Sequence, residues 1–194
     1  MGVNLVPVVK NFTISRENFD KENQSVKLGC VPTGQHRIIR FDLYCHNRGD
    51  KDLILGNPEN LPDIFEPSEV FGWQFKDKFY TYILKNGSGL ERSGYKVAFC
   101  LLGGKSADGK PFDCSYQGIA AGNSDLYGAG LPCQFIIIDD IPDGEYTLEA
   151  TANAPSVQAA KTGSGKVIIE EDNYDDNTTR VQLRITGDSV TQLS

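Results

Sequence analysis

Apolar and polar side chains alternate along several segments, which is the pattern of β-strands with one buried face and one solvent-facing face. The alternation is clearest at residues 39–45, 146–152 and 181–185. Two runs, 97–102 and 135–138, are continuously apolar, as strands covered on both faces are. No segment shows a convincing amphipathic helix, so the sequence predicts an all-β protein with little helix.

Turn-forming residues separate these apolar segments. Glycine, proline and asparagine cluster at 47–50, 86–89, 108–109 and 142–144. Many short strands with frequent turns are typical of a β-sandwich, and we predict one such domain over residues 1–194. The glycine-rich stretch 103–133 is expected to form long ordered loops, which usually serve a function. Residues 156–165 are expected to be a flexible surface connection.

Composition narrows the possible partners and compartments. The 194 residues carry a net charge of −7 with scattered basic side chains, so nucleic acid is not an expected partner. No apolar stretch approaches the roughly 20 residues of a membrane span. The first residues do not resemble a signal peptide. The chain is therefore expected to be intracellular if Met1 is native, and extracellular if Met1-Gly2 precedes a mature secreted chain.

The numbers of cysteines and histidines limit the disulfides and metal sites that the chain can form. Five cysteines are an odd number, so at least one thiol stays unpaired in a monomer, and no CxxC pair indicates a zinc site. Two histidines are too few for a three-imidazole metal centre.

The richest polar cluster is the turn 170–177, with the sequence E-E-D-N-Y-D-D-N. Carboxylates and amides gathered in one turn repel unless a hard cation bridges them, and Ca²⁺ takes 6–8 oxygen ligands. A solvated acidic turn is the alternative interpretation.

A family resemblance rests on two ordered motifs. Residues 94–101 read G-Y-K-V-A-F-C-L, and residues 125–139 read D-L-Y-G-A-G-L-P-C-Q-F-I-I-I-D. They resemble the lysyl oxidase catalytic domain, whose patterns are G-x-K-x-x-F-C-L and D-x-Y-G/P-x-x-x-x-C-Q-W-I-D. The likeness continues at 142–148 and 171–177, and reaches upstream to 37–47 and 52–55, so it covers nearly the whole chain.

The resemblance implies a copper amine oxidase scaffold whose quinone, lysine tyrosylquinone, joins a lysine to an oxidised tyrosine. The matching positions are Lys96 and Tyr127. The family's copper-binding H-x-H-Y-H stretch aligns with residues 70–74, where Val70, Gly72 and Gln74 replace the three histidines. Because Cu(II) of this kind is held by imidazoles, copper and the quinone are not expected here, and this is predicted to be a divergent member.

The resemblance also bears on calcium and on disulfides. In animal members the acidic turn and a D-L near the domain's start bind structural calcium, which implicates Asn4, Leu5, Glu171, Asn173, Asp176 and Asn177. Asn4 stands where the family has Asp. The animal partners of Cys100, Cys114 and Cys133 are missing, so these thiols are expected to be reduced or paired differently, for example Cys100 with Cys114.

Two functions remain at this point. One is an inactive, copper-free, calcium-stabilised binding or structural module with a protein or extracellular polymer as partner. Its recognition surface would be aromatic, although the same side chains could equally be core: Trp73, Tyr80, Tyr82, Tyr95 and Tyr127. The alternative is an active protein-lysine 6-oxidase with a rearranged metal site. The sequence does not indicate the oligomeric state.

Overall fold

Two antiparallel sheets form the body of the protein in the computed structural model, which describes residues 1–194. In the first sheet, β2 (Gly34–Asn47) pairs on one edge with β1 (Leu5–Phe19) and on the other with β10 (Ser124–Tyr127) and β11 (Phe135–Ile137). The second sheet has the order β14 (Ser189–Gln192), β13 (Thr178–Thr186), β12 (Gly144–Thr151), β6 (Tyr80–Lys85) and β7 (Glu91–Lys96).

Shorter elements extend this body. A small sheet has the order β3 (Leu53–Gly56), β9 (Gln117–Ile119) and β8 (Leu102–Gly103), and a hairpin is formed by β4 (Phe65–Ser68) and β5 (Gly72–Phe75). The helices are α1 (Gln24–Lys27) and α2 (Ala154–Thr162), with a 3₁₀ turn at Pro58–Asn60. No helix has both the length and the apolar character needed to cross a membrane.

The core lies between the two large sheets. Inward side chains of β2, such as Phe41 and Leu43, belong to the same buried cluster as Tyr82 and Leu148 of the second sheet. The rings of Phe41 and Tyr82 meet edge-on, with 4.9 Å between their centroids. The predicted all-β sandwich is thereby confirmed.

The alternating segments are strands, as predicted. Residues 39–45 lie in β2, 146–151 in β12 and 181–185 in β13, and each strand alternates buried and more exposed side chains. Residues 135–137 form β11. The period-two pattern is reliable here because each of these strands packs one face on the core.

Two sequence expectations were wrong. Residues 97–101 are buried but do not form a strand, because their backbone groups do not form a ladder with a neighbouring strand. The Leu101 N–H, for example, donates to the Gln117 side chain at 3.0 Å. The stretch 156–165, expected to be a flexible connection, contains most of α2, which ends at Gly163 in the left-handed region. Its buried face consists of Ser156, Val157 and Ala159, side chains too small to give a strong helical period.

The structure contains two disulfides. Cys100 and Cys114 are bonded, as the sequence suggested, and Cys30 is bonded to Cys133 across 103 residues. Cys45 is the remaining thiol and is buried in β2.

Candidate functional site

The acidic turn packs against the start of β1, and the Glu171 carboxylate is the centre of this contact. It accepts hydrogen bonds from the Leu5 backbone N–H at 2.6 Å and from the side-chain amides of Asn153 and Asn177, each at 2.7 Å. Burial raises the pKa of Glu171, although these three donors favour its charged form. A buried carboxylate is therefore held in a fixed position at the seam between β1 and the turn.

Three further side-chain oxygens of this region are buried and have no hydrogen-bond partner: Asn4 Oδ1, Asp176 Oδ1 and Asn177 Oδ1. The Asn4 amide donates to the other Asp176 oxygen at 3.0 Å, so these two side chains are neighbours. Leaving a buried oxygen without a partner costs free energy, and such groups in a folded protein usually have an ion or a water. The donor set, all hard oxygens, suits Ca²⁺.

The structure brings together five of the six residues expected to bind calcium. Asn4, Leu5, Glu171, Asp176 and Asn177 are connected by the hydrogen bonds described above. The remaining residue, Asn173, is exposed, and its side chain accepts from the Asp175 N–H at 3.0 Å within the turn. No three His, Cys, Asp or Glu side chains form a metal-binding group, since this cluster consists mainly of amides.

Asn153 is a member of this cluster that sequence reasoning missed. It is fully buried, has a left-handed backbone with φ of 52° and precedes α2. Its amide bridges the Glu171 carboxylate and the carbonyl of Ile169 at 2.8 Å. The signal was the Asn-Ala-Pro sequence at 153–155, because Pro near a helix start marks the preceding Asn as a boundary residue.

The residues aligned with the family's copper stretch lie in the β4–β5 hairpin. Val70 is buried, and Gly72 has a left-handed φ of 79° at the turn. The Gln74 amide donates to the Glu66 carboxylate across the hairpin at 2.7 Å. None of these three side chains is an imidazole.

Neither histidine of the chain lies in this hairpin. Both are in β2, where His36 Nδ1 is 2.7 Å from the Asp139 carboxylate and His46 stacks on Tyr44. Burial lowers the pKa of His46. Ten residues of extended strand separate the two imidazoles by roughly 30 Å, so they do not belong to one site.

Lys96 and Tyr127 do lie side by side. Lys96 ends β7 and Tyr127 ends β10, and the Lys96 Nζ is 5.8 Å from the centroid of the Tyr127 ring. Both side chains are buried. Burial, and secondarily the charge of Arg40, lowers the pKa of Lys96 to about 7.

Asp125 completes this group and was not predicted. Its carboxylate accepts from the Tyr127 hydroxyl at 2.8 Å and from the Leu102 N–H at 2.6 Å. Burial raises the pKa of Asp125, and burial followed by the Asp125 charge raises the pKa of Tyr127. The D-x-Y spacing was the available signal, because residues two apart in a strand share one face.

An apolar cavity of about 180 Å³ adjoins this group. Lys96, Asp125 and Tyr127 line it together with the Cys100–Cys114 disulfide and Phe71 of the β4–β5 turn. Phe71, which lies within the aligned copper stretch, and the two quinone positions therefore line one cavity, whereas Val70, Gly72 and Gln74 do not.

The proposed aromatic recognition surface is mostly core. Tyr80, Tyr82 and Tyr127 are buried, and only Trp73 and Tyr95 are partly exposed. Tyr80 and Tyr127 pack with 5.5 Å between their ring centroids. Tyr80, Tyr82 and Tyr127 therefore do not belong to a continuous exposed aromatic surface.

Comparison with known families and proteins agrees with this arrangement. The family model described as Lysyl oxidase matches residues 4–193. Protein-lysine 6-oxidase of Sus scrofa is 28% identical over an alignment 168 residues long, and this alignment covers 78% of this chain and 59% of that protein. The Homo sapiens protein of the same name is also 28% identical over 168 residues, and 35% of its length is covered.

A second kind of relative is similar at the same level. Lysyl oxidase homolog 2 of Gallus gallus is 28% identical over an alignment 167 residues long, and this alignment covers 82% of this chain and 20% of that protein. The chain thus spans between a fifth and three fifths of the length of these relatives.

Proposed function

Since this chain belongs to the lysyl oxidase family, we propose that it is a copper-free member that binds calcium. In this proposal it does not oxidise amines and serves as a binding or structural module for a protein or an extracellular polymer. The three buried oxygens without partners, on Asn4, Asp176 and Asn177, are the observation that carries the calcium part of the proposal.

The calcium ion would lie among these oxygens and the Glu171 carboxylate. Two carboxylates, Glu171 and Asp176, would supply charge, and the amides of Asn4 and Asn177 would supply neutral oxygens. Because the donors on Leu5, Asn153 and Asn177 already hold Glu171 in place, little ordering would be needed on binding. Replacement of the family's aspartate by Asn4 lowers the charge of the site and should weaken its affinity.

The donor chemistry supports the copper-free part of the proposal. Two histidines in the whole chain, His36 and His46, cannot supply three imidazoles, and neither side chain lies in the β4–β5 hairpin. Val70 and Gly72 offer no ligand atom, so these residues do not fit a Cu(II) centre of this kind. Quinone formation in the family depends on copper, which leaves Lys96 and Tyr127 without a means of being joined.

The two disulfides support a location of the protein in an oxidising compartment. Cys30–Cys133 and Cys100–Cys114 would persist outside the cytosol and be reduced within it. An extracellular location would also supply the high calcium concentration that a weak site needs.

Thermal unfolding with and without calcium tests the calcium part. The purified chain, first treated with EDTA, should melt at a higher temperature in CaCl₂ than in MgCl₂ of equal concentration. A free calcium concentration of 100 times the dissociation constant should add about 2.7 kcal/mol to the free energy of unfolding. Asp176→Ala should abolish this gain, whereas Asp175→Ala, which removes an exposed neighbour in the same turn, should retain it. An equal response of both variants would contradict the site.

One observation favours the second candidate, an active oxidase with a rearranged metal site, namely the proximity of Lys96 and Tyr127. Peptide mapping by mass spectrometry distinguishes the two functions. We expect separate Lys96 and Tyr127 peptides, no stoichiometric copper and no hydrogen peroxide release with amine substrates. A covalent Lys96–Tyr127 peptide with bound copper would establish the oxidase instead.

A further inference from the structure

We propose that Lys96 is a nucleophilic amine that forms an imine with a small apolar aldehyde held in the adjoining cavity. This inference rests on the proposed function, because a Lys96 already joined to Tyr127 would carry no free amine.

The cavity has the size and the lining for a small apolar molecule. Its volume is about 180 Å³, and cavities near 150 Å³ with apolar walls bind benzene. Phe71, Leu102 and Leu126 line it and are 46%, 42% and 50% exposed, so the cavity opens to solvent between apolar side chains. Exposed apolar side chains gathered at one cavity mark a binding site more often than isolated ones do.

Lys96, one of the residues that line this cavity, has surroundings that favour the neutral form of its amine. Lys96 is 1% exposed and forms no ion pair, and its Nζ has one hydrogen-bond acceptor, the Pro132 carbonyl at 2.8 Å. An ammonium group has three N–H donors, two of which would remain without partners here. A neutral amine donates once to Pro132 and keeps its lone pair free.

One neighbouring charge, that of Arg40, acts in the same direction. Arg40, from β2, is a cation whose charge disfavours a second one on Lys96. Asp125 is engaged with the Tyr127 hydroxyl and the Leu102 N–H and does not pair with the amine. Desolvated lysines near another cation are the nucleophiles that form Schiff bases with carbonyl compounds.

An aldehyde is the ligand class that fits both the amine and the walls. An apolar cavity does not compensate an ionic ligand for lost hydration, and a hydrocarbon would leave the amine unused. In the reaction, the Nζ lone pair attacks the carbonyl carbon, and a proton moves from nitrogen to oxygen to give a carbinolamine. The C–O bond then breaks, and the hydroxyl leaves with the second amine proton as water. An imine remains, and nothing is oxidised or reduced.

Reductive trapping with benzaldehyde tests this inference on the full chain. The protein is incubated at pH 7 with benzaldehyde and cyanoborohydride, which reduces an imine to a stable benzyl amine, and is then mapped by mass spectrometry. Burial lowers the pKa of Lys96 to about 7, so its neutral form is far more populated at this pH than that of an exposed lysine, which is neutral in fewer than one molecule in about 1,000. We expect Lys96 to be benzylated more than about tenfold faster than the exposed Lys161.

Matched variants distinguish labelling that depends on the cavity from the general reactivity of lysines. Lys96→Met should show no benzylation of the peptide 91–101. Leu126→Ser, at the cavity mouth, should slow labelling of Lys96, whereas Ile54→Ser, which alters an equally exposed side chain elsewhere, should not. The peptide map is first recorded before aldehyde is added. If it shows Lys96 unmodified, and Lys96 is then labelled no faster than Lys161, this inference is wrong but the proposed function is unaffected. A Lys96–Tyr127 cross-link before aldehyde is added overturns the proposed function as well.

Discussion

The Leu5 backbone N–H donates to the Glu171 carboxylate at 2.6 Å, although 166 residues separate them in sequence. Leu5 begins β1 in the first sheet, and Glu171 lies in the turn that precedes β13 of the second. The same carboxylate also accepts from Asn153, just before α2. One side chain thus ties together three segments, and the candidate calcium cluster lies where they meet.

Replacing Glu171 should destabilise the protein even without calcium. Glu171→Ala leaves three donors, on Leu5, Asn153 and Asn177, without their acceptor, and we expect a loss of roughly 2–4 kcal/mol in the free energy of unfolding. Urea denaturation in EDTA measures it. Asp176→Ala is the control, because one of its oxygens has no partner and the other accepts a single bond. Equal losses for the two variants in EDTA would contradict this role of Glu171.

The two disulfides should contribute unequally to stability. Cys30–Cys133 closes a loop of 103 residues and Cys100–Cys114 one of 14 residues. In the chain-entropy account these correspond to about 4.7 and about 3 kcal/mol. Urea denaturation of the two paired cysteine-to-alanine variants compares them, with Cys45→Ala as the control that removes a buried thiol but no bond. A greater loss for the 14-residue loop would contradict the prediction.

The strands and the polar turn at 170–177 could be identified from the sequence because their signals are local. Period-two alternation sets the buried face of β2, β12 and β13, and the turn 170–177 gathers its polar groups within eight residues. The Cys30–Cys133 bond was not accessible, since it depends on where β2 and the 103–133 loops pack. The Cys100–Cys114 bond closes a short loop, and the sequence suggested it.

The alternation of buried and exposed positions in β6 was not used to place its tyrosines. Tyr80, Tyr82 and Leu84 are two apart in β6, and all three are buried. The sequence left these two tyrosines either on an aromatic recognition surface or in the core, and the period-two pattern with Leu84 would have favoured the core. Asn153 could not be recognised as part of the cluster, because its contact with Glu171 spans 18 residues and the whole of α2.

Gly94 should not tolerate a side chain. A Cβ at this position in β7 would lie 2.6 Å from the carbonyl oxygen of Phe135 in β11, so the two strands could not approach as they do. Gly94→Ala is expected to cost on the order of 1–3 kcal/mol in unfolding free energy. The control is Gly87→Ala in the β6–β7 turn, where a Cβ meets no atom within 4 Å. Matching melting temperatures for the two variants would rule out this close approach.

Lys96 should make stability depend on pH in a direction opposite to that of an ion-paired lysine. Its pKa is lowered from 10.5 to about 7 by burial, so between these values the unfolded chain binds a proton that the folded chain does not. Stability therefore rises with pH from about 7 to 10.5 and levels off below 7, where both the folded and the unfolded chain bind the proton. A lysine that gains an acidic partner would show the reverse.

The comparison of wild type with Lys96→Met isolates this contribution, because all other titrating groups are shared. From pH 6 to pH 9 the wild-type free energy of unfolding should rise relative to that of Lys96→Met by roughly 2–3 kcal/mol. Urea denaturation at several pH values measures the difference. Arg40→Met provides a second check, since removal of the neighbouring cation should raise the pKa of Lys96 and move the rise to higher pH. A difference that stays constant from pH 6 to pH 9 would mean that the folded protein leaves Lys96 with its ordinary pKa.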